Sequence, residues 1–64
     1  MSLSLLELGY QLLEKLNIRR LYVFPEHLEL HFTNDNSKII AFGNTEEEVI
    51  ENFYQLYQEM YNPA

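Results

Sequence analysis

From Gly43 to Tyr61 the sequence reads GNTEEEVIENFYQLYQEMY, a glycine-marked turn running into a helix start and then a broad apolar helix face. Thr45 stands where an N-cap belongs: its hydroxyl can accept from the Glu48 N–H while the Glu48 carboxylate reaches back to the Thr45 N–H, a reciprocal capping box. Glu46, Glu47 and Glu48 fill the first turn, where the positive end of the helix dipole favours anions by about 0.3–1 kcal/mol each at an exposed site. Val49, Phe53, Leu56 and Met60 recur at helical spacing and fall within an arc of roughly 60°, the expected inner face. Ile50, Tyr54, Tyr57 and Tyr61 widen the apolar arc to about 160°. Glu47, Glu51, Gln55, Gln58 and Glu59 occupy the other side, and Asn62-Pro63 closes the helix.

Sixty-four residues make one domain, residues 1–64. A chain of this size buries only about 60% of the surface it exposes when unfolded, so its core is thin. It has no cysteine to staple that core or to bind a metal as thiolate, which suits a reducing compartment such as the cytoplasm. With 47% apolar residues and two each of glycine and proline, it has the composition of a folded chain rather than a disordered one. No apolar run approaches the roughly 18 residues of a membrane span, and the N-terminus lacks the flanks of a signal peptide.

The net charge is −6 and is unevenly spread. Residues 1–32 carry four acids against three bases, and residues 33–64 carry six acids against Lys38 alone. Direct nucleic-acid binding, which needs clustered lysine or arginine, is not expected. The acidic balance favours solubility or a basic protein partner.

Residues 4–17 read as a first helix, with a Ser4/Glu7 capping box and Asn17 as its stop. Leu5, Leu8, Leu12 and Leu16 share one face, flanked by Leu6 and Leu13. Gly9 falls inside this apolar arc, where it costs about 1 kcal/mol of helix propensity against alanine. Close approach of the other helix or of a sheet is the expected compensation. The period then changes. Residues 20–24 suggest a strand, and His27 to Phe32 alternate cleanly, with Leu28, Leu30 and Phe32 on one face and His27, Glu29 and His31 on the other. Pro25-Glu26 reads as a hairpin turn or as a proline bulge in one long edge strand, with turn chemistry favouring the former. Residues 34–37 form a loop, and Lys38 to Phe42 a final strand. The order is α-β-β-β-α. The expected fold is a small α+β domain, a three-stranded antiparallel meander with both helices on one face. Arg20, Tyr22, Phe24, His27, Glu29 and His31 are then left on the second face.

No arrangement of these residues points to catalysis. There is no cysteine nucleophile, no serine on a recognisable elbow and no glycine-rich phosphate loop, and so small a domain has little room for a pocket of ~300 Å³. The chain is read as a non-enzyme without cofactor. His27 and His31 lie about 13 Å apart along an extended strand, beyond what the ~2 Å bonds of one ion span. No metal site is expected, and pairing with Glu29 or with neighbouring strands is the ordinary role for both imidazoles.

Two surfaces carry a partner signal. Glu47 and Glu51, with Glu48 and Glu59, project from the second helix, as a solvated face or as carboxylates standing in for backbone phosphates. Tyr54, Tyr57 and Tyr61 extend that helix's apolar arc beyond what one small core needs, and tyrosine is enriched in interfaces. They are the expected contact of a two-fold homodimer. The junction Gly43-Asn44-Thr45, followed by acids and Val49-Ile50, resembles the strand-to-helix junction of phage inhibitors of uracil-DNA glycosylase, and equally the corresponding turn of HicB-type antitoxins. The similarity spans eight residues of a kind that any capped helix after a strand uses, and no family is assigned from it. The functional expectation is a protein-binding module, an inhibitor or accessory factor acting by surface contact. The alternatives are a phosphate-mimicking inhibitor of a nucleic-acid enzyme, of anti-CRISPR or repair-inhibitor type, and a structural subunit of a larger assembly.

Overall fold

The computed structural model describes residues 3–18, 20–34 and 37–61. Helix α1 (Leu5–Leu16) leads into strands β1 (Leu21–Val23), β2 (Leu28–Asn34) and β3 (Ser37–Gly43), and helix α2 (Glu46–Tyr61) follows. The strands form one antiparallel sheet in the order β1-β2-β3. α2 lies along β3 and reaches β2, and α1 packs on α2. This is the α-β-β-β-α meander read from the sequence. The expected Asn62-Pro63 helix stop lies outside the described residues.

Local chemistry sets the element ends. Ser4 and Glu7 form a complete capping box at 3.1 Å in both directions. Asn17 ends α1 in the left-handed region at φ 57°, a conformation asparagine tolerates better than most residues. Thr45 caps α2, its hydroxyl accepting from the Glu48 N–H at 3.1 Å. The Glu48 carboxylate, however, reaches one residue further back than expected, to the Asn44 N–H at 3.0 Å. Pro25-Glu26 is a turn rather than a bulge. The Phe24 N–H donates to the His27 carbonyl at 2.9 Å, and the register Val23↔Leu28 closes the hairpin around it.

The core is Leu30, Ile39 and Ala41 from the sheet with Val49, Ile50 and Phe53 from α2. Phe53 is wholly buried and meets Phe32 edge-to-face at 6.1 Å. Both glycines mark contacts that leave no room for a methyl group. A Cβ on Gly9 would stand 2.6 Å from Ile50 Cγ2 and 3.1 Å from the Ile50 carbonyl, and one on Gly43 would stand 2.6 Å from the Val49 nitrogen. The helix-propensity cost of Gly9 is thus the condition for α1 to sit against α2.

The α2 face differs from the sequence expectation. Val49 and Phe53 are buried, but Leu56 is 39% and Met60 46% exposed, while Ile50 is buried and Tyr57 half-buried. The observed buried set is Val49, Ile50, Phe53 and Tyr57, centred roughly 45° around the helix from the expected centre. The cause is α1. It covers α2 on the Ile50 side, and a sheet only three strands wide lets the opposite side of α2 extend past the edge strand β3.

Candidate interaction surface

Because side chains alternate along each strand, the sheet register defines its second face. Tyr22, Glu29 and Phe42 stand side by side across β1, β2 and β3, with His31 beside Ile40 and Thr33 beside Lys38. Neither helix packs on this face. Tyr22 is 44%, Phe24 43% and Phe42 54% exposed.

Glu29 organises the centre. A carboxylate can only accept, so His27 donates from Nε2–H to one oxygen at 2.6 Å and His31 from Nε2–H to the other at 2.8 Å. The His27 bond, then the His31 bond, holds the Glu29 carboxyl below its ordinary value, outweighing the opposing effect of partial desolvation. Each ring is then fixed by aromatics. Tyr22 meets His31 edge-on at 4.6 Å, Phe24 stacks on His27 at 5.1 Å, and Phe42 approaches His27 at 5.7 Å. The two imidazoles thus pair with Glu29 as the sequence suggested. Among the described residues no three metal-ligating side chains are grouped to hold an ion.

Charge is segregated by layer. The helices carry seven acids (Glu7, Glu14, Glu46, Glu47, Glu48, Glu51 and Glu59) against Lys15, a balance of −6. The other described residues carry Arg20 and Lys38 against Glu26 and Glu29, a balance of zero with neutral histidines. The aromatic face therefore belongs to a neutral layer backed by an acidic one.

The residues singled out on α2 divide differently. Tyr57 turns toward its own core, with ring centroids 6.4 Å from Phe32, 6.3 Å from Phe53 and 4.6 Å from Tyr61. Tyr61 is 40% exposed and its hydroxyl meets the Ser37 hydroxyl and accepts from Asn34 Nδ2 at 3.3 Å, fastening the end of α2 to the β2–β3 hairpin. Tyr54 is half-buried, Glu47 exposed and Glu51 half-buried. Glu46 accepts from the Tyr10 hydroxyl at 3.2 Å, joining the two helices. Partial desolvation, followed by that bond, raises the Tyr10 phenol above its ordinary value.

Sequence reasoning missed Ile40 and Phe42 on the open face. β3 reads SKIIAFG, apolar at both parities between Ile39 and Phe42, so alternation alone cannot tell inward Ile39 and Ala41 from outward Ile40 and Phe42. Surface grooves also exceed the expected pocket size, at about 330 Å³ beside Leu16, Arg20, His31 and Phe32 and about 400 Å³ between β3 and α2. Both are open to solvent rather than enclosed. Among the described residues, no helix is long and apolar enough to cross a membrane. No family model matches this chain, and neither a curated protein nor a solved structure does.

Proposed function

We propose that this chain is a non-enzymatic, cytoplasmic protein-binding module, an inhibitor or accessory factor, and that the open face of its sheet is its contact surface. The observation that carries this reading is the exposure of Tyr22, Phe24 and Phe42 together on a face that neither helix covers. Aromatics at the centre of a contact supply most of its energy, because they bury large areas at small entropic cost. Glu29 and its two imidazoles give such a contact a polar centre already held in place by its own hydrogen bonds, which lowers the cost of ordering it on binding.

The concentration of acids on the helix layer favours a second reading, carboxylates at Glu47 and Glu51 standing in for phosphates in the groove of a nucleic-acid enzyme. Two of the neighbouring acids have structural duties, Glu48 at the cap and Glu46 on Tyr10, so this reading ranks below the first. The test is to compare proteins retained from the native host by the immobilised chain and by its variants. Tyr22→Ala and Phe42→Ala should each weaken the principal partner at least tenfold, while Glu47→Gln and Glu51→Gln leave it unchanged at moderate salt. The reverse pattern, with steep loss on adding salt, would replace the first reading by phosphate mimicry.

A further inference from the structure

We infer that the free edge of β3 pairs antiparallel with β3 of a second copy about a two-fold axis, making one six-stranded sheet. The proposal uses the edge of the sheet rather than its open face and is independent of the partner reading above.

The hydrogen-bond phase of the sheet shows what the edge offers. The His31 N–H donates across to the Arg20 carbonyl at 3.1 Å, so the backbone of His31, and of Glu29 and Thr33 in the same phase, faces the β1 side. Their β3 partners Ile40, Phe42 and Lys38 are then in non-hydrogen-bonded pairs, with their N–H and C=O groups pointing away from the sheet. The Asn52 side chain confirms this phase, donating to the Phe42 carbonyl at 2.7 Å. The bond caps one end of the edge and leaves Lys38 and Ile40 as its open template. β1 offers no such template, being three residues long and followed by Pro25. β3 is seven residues long, and Lys38 is its only charged residue, so it lacks most of the devices that keep edge strands from pairing.

The side chains flanking this edge suit a copy of themselves. On the helix side the exposed Leu56 and Met60 overhang β3, bounding grooves of about 400 and 300 Å³ with Ile40, Asn52, Gln55 and Glu59. Lys38 and Glu59 line the first groove together. A two-fold axis near the middle of β3 brings Leu56 and Met60 against their counterparts. Seven residues of edge at about 3.3 Å each, with a sheet-and-helix thickness of about 20 Å, present roughly 450 Å² per copy, or about 900 Å² in all. That is close to the lower limit for a specific contact, so the pairing is concentration-dependent. It would also set two open faces side by side, with Ile40 and Phe42 of each copy at the centre of one platform.

Sedimentation equilibrium from micromolar to millimolar chain should show a monomer–dimer transition, and amide exchange at Ile40 and Lys38 should slow as the dimer fills. Ile40→Pro removes an outward N–H and spares the β2–β3 ladder, since proline is tolerated on an edge. It should weaken association at least tenfold, as should Met60→Glu, whose site on exposed helix surface keeps the fold intact. Phe24→Ala, on the open face, should leave dimerisation unchanged while lowering partner capture. Loss of capture failing to appear removes only the open-face reading. A monomer at every concentration overturns the edge pairing. So does a dimer in which the Ile40 amide exchanges as fast as in the monomer.

Discussion

Glu29 shows how one side chain ties the surface together. It lies between Tyr22 and Phe42 across the sheet and between His27 and His31 along the strand, and among the described residues no lysine or arginine pairs with it. Its lowered pKa means that the fold favours the carboxylate over the acid. The stabilisation is therefore complete above the ordinary carboxylate value of about 4.3 and is lost as the pH falls through the lower value of the folded state. Glu29→Gln should lower the urea midpoint at neutral pH, and the gap to the parent chain should close in the acid range. A gap of constant size down to strong acid would show that the imidazole bonds do not favour the charged form.

At the scale of elements, α2 is defined by the side it turns to the core. Tyr57 lies against Phe32 and Phe53, and Leu56 and Met60 take the outer position that the tyrosines had been expected to hold. Tyr57→Ala should therefore destabilise the monomer by about 1–3 kcal/mol through lost burial and ring contacts, below the range of about 3–5 kcal/mol for truncating a fully buried aromatic. Chemical denaturation below the concentration at which the chain associates measures this directly. An unchanged midpoint there would return Tyr57 to the surface role read from the sequence.

At the scale of the whole molecule, the separation of charge sets a cost. Seven acids against one lysine share the two helices, and like charges within a Debye length of about 8–10 Å repel. Added sodium chloride should raise the thermal midpoint by a few degrees, because screening relieves the helix layer more than it weakens the Glu29 pairs, which are partly shielded at 19% side-chain exposure. A fall in the midpoint over the same range would mean that attractive pairs outweigh the repulsion. A thin core makes either change visible, since one kilocalorie per mole is a large share of the stability of so small a domain.

Signals that act within a few residues were legible in the sequence alone. They include the α-β-β-β-α order, the Ser4 capping box and the Thr45 cap, the Asn17 stop, the Pro25-Glu26 turn and the alternation that sends His27, Glu29 and His31 to one face. Each depends on φ/ψ preference, a side chain reaching its own backbone, or a period of two or 3.6 residues. Tertiary structure alone decided the rest. The azimuth of α2 depends on where α1 lands, and that depends on the gap Gly9 opens beside Ile50. The outward choice of Ile40 and Phe42 depends on register with β2, because both parities of β3 are apolar. Charge that runs along the chain as a shallow gradient becomes a division between layers only when the two helices, far apart in sequence, pack on the same side of the sheet. Periodicity fixes which residues share a face, but only packing against a neighbour determines where that face points.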